Sequence, residues 1–169
     1  MARKPPLLPA EALRRVVRTA RLDGGGILAV AGFFALASAS IHDVNGAAVG
    51  LLVAAGGALE FHGAGLLTIG ARTGVRWLVS SQIFLLAVIL LYVAWRLHGM
   101  DISPMRPLLT DEQRSVIAGA GFGIDEFLRL VYRATYGVFG AASLAYQGGL
   151  ALYYWRRRAA IKAALVYED

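Results

Sequence analysis

Four long apolar stretches, joined by short polar connections, dominate the hydrophobic pattern of this chain. They lie at about 26–41, 46–71, 75–98 and 130–155. A helix needs about 20 predominantly apolar residues to cross the hydrocarbon core of a bilayer, and the first stretch is short but uncharged. The pattern therefore predicts an all-α integral membrane protein built as a four-helix bundle.

A helix with two distinct faces is predicted before the first apolar stretch. Leu13, Val16, Val17 and Ala20 recur at helical spacing, and arginines occupy the other side. Such a basic amphipathic helix is typical of segments that lie in the membrane interface. The alternative is a helical basic tail that only sets topology. The run Asp23-Gly24-Gly25-Gly26 predicts the end of this helix and a turn into the bilayer.

The stretch at 99–129 is the one sizeable segment predicted outside the membrane. Two prolines in Ser103-Pro104-Met105-Arg106-Pro107 exclude a regular α-helix there. Thr110 and Gln113 have the spacing of a capping box, which predicts a short helix through about Ala118. The chain is thus divided into a basic tail with the interfacial helix (1–23), three spans (24–98), the outer segment (99–129) and the last span with a basic tail (130–169).

The placement of basic residues predicts the topology. Most of the 17 lysines and arginines lie in the two tails and in the loop at 72–76. Because cytoplasmic segments carry this excess, both termini are expected in the cytoplasm, with the protein in a plasma membrane, as in a bacterial inner membrane. Anionic lipid headgroups are the predicted partners of Arg14, Arg15, Arg18, Arg156, Arg157 and Arg158.

Composition removes several classes of function. The chain is 57% hydrophobic and has no cysteine, which excludes disulfides and cysteine catalysis. Its net charge of +6 accompanies no nucleic-acid recognition motif, so no nucleic-acid partner is expected. No constellation of catalytic residues is evident, and neither an enzyme nor a cofactor is predicted.

Glu60 is the candidate for chemistry, because it lies near the middle of the second span. Charged residues at that depth usually face a protein interior or a cavity. On a helical wheel Glu60 shares a face of small residues, whereas His62 points nearly the opposite way. A small-residue face allows close helix packing in lipid. The predicted packing residues are Gly50, Gly56, Gly57, Gly63 and Gly70.

Polar residues in the later spans are expected at a depth comparable to that of Glu60. One hypothesis joins Glu60, Ser81, Gln82, Tyr146 and Gln147 into a polar pathway for a proton or a cation. The alternative is that Glu60 is protonated or hydrogen-bonded to a serine, glutamine or tyrosine and only fixes the helix register.

A second candidate site involves His42, His98, Asp43 and Asp101, all expected near the outer face. Imidazole and carboxylate groups can hold a divalent metal ion. Their spacing matches no metal-binding motif, so no metal site is predicted.

Two classes of function remain. The first is a homo-oligomeric channel or transporter for an ion or small solute, with Glu60 in its polar pathway. The second is a non-catalytic membrane subunit or scaffold that docks partners through its glycine-rich helix faces and outer segment. The glycine face favours a homo-oligomer or a subunit of a membrane complex in either case.

Overall fold

The computed structural model describes residues 8–166, and within that range the fold is entirely helical. The helices are α1 (Pro9–Ser40), α2 (Val44–Thr68), α3 (Gly74–His98), α4 (Asp111–Gly119) and α5 (Ile124–Ala164), with a 3₁₀ helix at Ser103–Leu108. Of these, α1, α2 and α3 are each long and apolar enough to cross a membrane. The chain divides into two units, one of residues up to 88 and from 144 onward, the other Ile89–Ser143.

One continuous helix, α1, replaces the predicted interfacial helix and first span. The prediction that Asp23-Gly24-Gly25-Gly26 ends a helix is therefore wrong. Glycine inside a helix costs roughly 0.5–1 kcal/mol relative to alanine, so packing must offset that cost. Gly24 is buried, and a Cβ atom built on it would lie 2.8 Å from the carbonyl oxygen of Gly57. The glycine allows α1 and α2 to approach with backbone against backbone.

The apolar stripe of the first half of α1 packs on protein. Val16 and Ala20 are fully buried, and both belong to a core with Leu67, Tyr154 and Ile161. Arg14, Arg15 and Arg18 are exposed on the other side. The predicted separate helix with its apolar stripe against lipid is accordingly corrected, because that stripe is covered by the protein's own helices.

Small residues hold the helices of the first unit together along α2. Gly50 packs on Ala35 of α1, and a Cβ at Gly50 would be 2.9 Å from the Cα of Ala35. Gly63 faces the start of α3, where a Cβ at Gly74 would lie 2.6 Å from the Gly63 carbonyl oxygen. A Cβ at Gly56 would overlap the side chain of Leu85. Four predicted packing glycines (50, 56, 57 and 63) thus lie in contacts within one chain.

Gly70 does not belong to this set, and its predicted packing role is wrong. Helix α2 ends at Thr68, and Gly70 follows it with a φ of +80°. No heavy atom lies within 4 Å of a Cβ built on Gly70. Its role is conformational, because residues with side chains rarely adopt a positive φ.

The second unit contains α4 and the ends of α3 and α5 nearest to it. The predicted capping box is confirmed: Thr110 Oγ1 accepts from the Gln113 N–H at 3.2 Å, and Gln113 Oε1 accepts from the Thr110 N–H at 3.0 Å. The guanidinium of Arg96 lies over the rings of Tyr132 and Tyr136, 5.7 and 5.5 Å from their centroids. Such cation–π contacts stabilise this unit.

Two acidic groups of the second unit, Asp101 and Asp125, have local partners. The Ser103 N–H donates to Asp101 at 2.9 Å, and this hydrogen bond holds the pKa of the Asp101 carboxyl below its usual value by stabilising the charged form. Arg106 donates through two nitrogens to Asp125, at 3.0 and 2.6 Å. These contacts tie the chain after α3 to the first turn of α5.

The close contact of α1 with α2 generates a stability prediction. In Gly57→Ala the added methyl would lie 2.7 Å from the Gly24 carbonyl oxygen. Overpacking of this kind typically costs about 1–3 kcal/mol, so we expect a lower unfolding temperature in mild detergent. Gly65→Ala is the matched control, since a methyl there meets nothing within 4 Å and favours the helix. Equal unfolding temperatures for the two variants would contradict the contact.

Candidate functional site

Glu60 is completely buried in the first unit, on the glycine face of α2. Its Oε1 accepts a hydrogen bond of 2.6 Å from the hydroxyl of Tyr154 on α5. Its Oε2 has no hydrogen-bond partner among the described residues. A buried carboxyl oxygen without a partner is energetically costly and therefore informative, because most buried polar atoms are paired.

Asp23 of α1 is the second acidic group at this site. Its Oδ1 accepts from the hydroxyl of Tyr146 at 2.6 Å, and its Oδ2 accepts from Nε2 of Gln82 at 3.3 Å. Gln82 and Asp23 both neighbour the Glu60 carboxyl. The backbone explains this arrangement, since a Cβ built on Gly24 would be 3.1 Å from the Cβ of Glu60. Helix α1 continues past Asp23 and carries it to the level of Glu60.

We call these five residues the carboxyl cluster: Asp23, Glu60, Gln82, Tyr146 and Tyr154. Each of the four long helices contributes at least one of them. The two tyrosines and the glutamine donate hydrogen bonds, and the two carboxyl groups accept them. Carboxyl groups that meet in apolar surroundings can share a proton or hold a cation.

The structure brings some of the predicted pathway residues together and leaves others apart. Glu60, Gln82 and Tyr146 belong to the carboxyl cluster. Gln147 is buried on the same helix as Tyr146, and its Oε1 is unpartnered within the described range. Ser81 is buried too, but its hydroxyl donates to the Leu78 carbonyl of its own helix at 2.9 Å. Ser81 is satisfied locally and joins no cluster contact.

His62 lies apart from Glu60, as the helical wheel indicates. Its side chain is exposed and meets the ring of Trp77 edge-on, with 5.4 Å between the ring centroids. Glu60, two residues earlier, is buried. The imidazole therefore takes no part in the chemistry of the carboxyl cluster.

Sequence reasoning missed Asp23 and Tyr154. Asp23 stands before three glycines, a run typical of a helix end, although it lies seven residues after Val16 on the apolar stripe. Extending that periodicity through the glycines places Asp23 beside the packed face. Tyr154 lies seven residues after Gln147, a spacing that returns to nearly the same side of a helix. That spacing was the available signal for Tyr154.

The two aspartates of the histidine and aspartate set near the predicted outer face make local hydrogen bonds to the backbone. Asp43 caps α2 by accepting from the Gly46 N–H at 3.0 Å, and Asp101 accepts from the Ser103 N–H. Across residues 8–166, no group of three or more histidine and acidic side chains is arranged to hold a metal ion. His42 lies in the turn before α2 with a φ of 61°, and His98 ends α3.

These features define a class of protein: a helical membrane protein with polar residues buried in its interior. Comparison with known protein families, with curated proteins and with solved structures finds no match to this chain. The function must therefore be argued from the chemistry of the cluster itself.

The hydrogen bond from Tyr154 generates a second prediction. Tyr154→Phe removes the donor to Glu60 and leaves its buried carboxyl less well satisfied. Loss of one partner from a buried polar group costs about 1–3 kcal/mol, so we expect a lower unfolding temperature. Tyr153→Phe removes a hydroxyl from the neighbouring residue at the edge of the same core and should change stability less. A larger decrease of the unfolding temperature in Tyr153→Phe than in Tyr154→Phe would exclude a stabilising role for this bond.

Proposed function

We propose that this protein is a membrane transporter for protons or small cations, with the carboxyl cluster as its binding site. One observation carries the proposal: the partly buried Asp23 and the fully buried Glu60, on two different helices, are neighbours in a membrane protein. Acidic residues are expensive at this depth, and they are typically kept there for ion or proton pathways. A purely structural role in fixing the helix register requires only one acidic residue.

Neighbouring side chains lead from the buried end of the cluster to the surface of the first unit. Tyr146 is 55% exposed and donates to Asp23, which is itself only partly buried. Asp23 in turn neighbours Glu60 and its donor Tyr154. A proton or cation that enters beside Tyr146 would meet Asp23 first and Glu60 second.

The burial of Glu60 favours a carrier over a permanently open pore. Its side chain has no exposed surface. Transport through it therefore requires a conformational change that opens the cluster, as alternating access does. The glycine contacts between α1, α2 and α3 are suited to such movement, since smooth backbone surfaces can slide without interlocking side chains.

We infer that α5 also crosses the membrane, which gives four spans. No residue from Ala134 to Trp155 is charged, and Arg133 and Arg156 flank that stretch. Its glycines, Tyr146 and Gln147 lower its hydropathy relative to α1, α2 and α3. Those polar residues face the cluster or the packed interior, so the composition of α5 reflects its contribution to the site. Both termini then lie on the same side, in the cytoplasm by the distribution of basic residues.

This topology can be tested by single-cysteine labelling, because the chain has no native cysteine. Ser115→Cys and Ala159→Cys place thiols at exposed positions before and after the proposed span. We expect a membrane-impermeant maleimide to label Cys at 115 in intact cells, and at 159 only after permeabilisation. Labelling of both positions from the same side would exclude a crossing by α5.

We further propose that the transporter is a homo-oligomer, in which Tyr146 faces a neighbouring subunit. The glycine face of α2 is occupied within the chain, so association must use other surfaces. Exposed aromatic residues Phe33 and Phe34 on α1 offer one such surface. The scaffold alternative loses the support of its glycine-rich docking face for the same reason, because that face of α2 is already filled within the chain.

The central test is flux into liposomes that contain a pH-sensitive dye and carry a potassium gradient with valinomycin. We expect wild-type protein to allow proton entry and Glu60→Gln to abolish it. Asp23→Asn should reduce the rate of proton entry at least tenfold, because a positioned proton-transfer group typically contributes this factor or more to a rate. Both substitutions are isosteric, and the new amides can still accept from Tyr154 and Tyr146.

Glu112→Gln serves as the control, because Glu112 is an exposed carboxyl group in the first turn of α4. It should transport at the wild-type rate. Gel filtration of each variant shows whether assembly is unchanged. Wild-type liposomes that pass neither protons nor sodium or potassium, or full activity of Glu60→Gln, would refute the proposal.

A further inference from the structure

A basic groove lies in the first unit, apart from the carboxyl cluster. It has a volume of about 630 Å³ and runs between the start of α3 and the last turns of α5. Four cationic side chains line it: Arg72, Arg76, Arg158 and Lys162. Among residues 8–166, which the structure describes, the lining includes no acidic side chain. Within that range the groove therefore has four positive charges and no negative one.

The floor of this groove is apolar. Ile161 and Leu165 are buried there, and Val75 and Val79 of α3 complete the surface. Because α3 is long and apolar enough to cross a membrane and begins at Gly74, the groove lies at the end of a span. This is the depth of lipid headgroups and the first methylene groups.

Trp155 and Arg158 form a fixed edge of the groove. The Arg158 guanidinium stacks over the Trp155 ring, 3.6 Å from the ring centroid. Stacking on the ring face holds the plane of the guanidinium while its N–H groups stay available at its edge. An arginine held in this way is prepared to bind phosphate through two parallel hydrogen bonds.

We propose that the groove binds the headgroup of an anionic phospholipid, with the phosphate among the four cations and an acyl chain along the apolar floor. The four cationic side chains of the groove favour an anionic ligand. Its apolar floor favours an amphiphile over a free ion. Basic pockets next to membrane helices are suited to such headgroups. The proposal goes beyond general attraction by the exposed arginines of the tails, because it assigns Arg72, Arg76 and Lys162 to one defined site.

Trp155 provides a direct reporter of occupancy. The chain has three tryptophans, and Trp77→Phe with Trp95→Phe leaves Trp155 as the single tryptophan, which can be excited selectively over the tyrosines. This protein is placed in nanodiscs of phosphatidylcholine with increasing fractions of phosphatidylglycerol brominated on its acyl chains. We expect quenching at a mole fraction roughly tenfold lower than with brominated phosphatidylcholine, since two or more cations contribute to the preference.

Arg76→Gln with Lys162→Gln should reduce this preference about tenfold. The matched control, Arg129→Gln with Arg133→Gln, removes the same charge at exposed positions outside the groove and should leave the preference nearly unchanged. Equal quenching by the two brominated lipids, or an equal loss in both double variants, would overturn the site. Displacement of the brominated lipid by inorganic phosphate at constant ionic strength would identify the phosphate group alone as the ligand and refute a lipid site.

Discussion

The contact of Gly24 with Gly57 is the constraint on which the rest of the first unit depends. A side chain at either position would collide with the backbone of the other helix. Because both are glycine, α1 and α2 approach closely enough for Asp23 to reach the level of Glu60. The site is therefore a product of backbone packing: removing the close approach would separate the two carboxyl groups without changing either one.

The pair of a fully buried Glu60 and a partly buried Asp23 imposes requirements on the remaining helices. Glu60 needs the hydroxyl of Tyr154, and Asp23 needs donors from Gln82 and Tyr146. These donors fix the rotation of α3 and α5, since a turn of either helix would leave a buried carboxyl oxygen unpaired. Among the described residues, two buried oxygen atoms of the cluster have no hydrogen-bond partner: Oε2 of Glu60 and Oε1 of Gln82. An added proton or cation would act there.

The fold could be predicted from the sequence further than the site could. The apolar stretches predicted the bounds of α2 and α3 to within a few residues, and the capping box predicted the start of α4. The continuity of α1 could not be predicted, because Asp23 and three glycines favour a helix end locally and only the contact with α2 reverses that preference. Asp23 was absent from the predicted pathway because its position depends on the same tertiary contact. Glu60 and Gln82 could be predicted, because they are polar residues within apolar spans.

The basic groove and the carboxyl cluster share two helices, which links the two proposals physically. Arg158 follows Tyr154 by four residues on α5, and Val79 precedes Gln82 by three on α3. At a rise of about 1.5 Å per residue, each pair is separated by roughly one helical turn. A lipid that fills the groove would fix the ends of both helices where they hold the donors to Glu60 and Asp23. Opening of the cluster, if it requires α5 to move against α3, would then depend on which lipid occupies the groove.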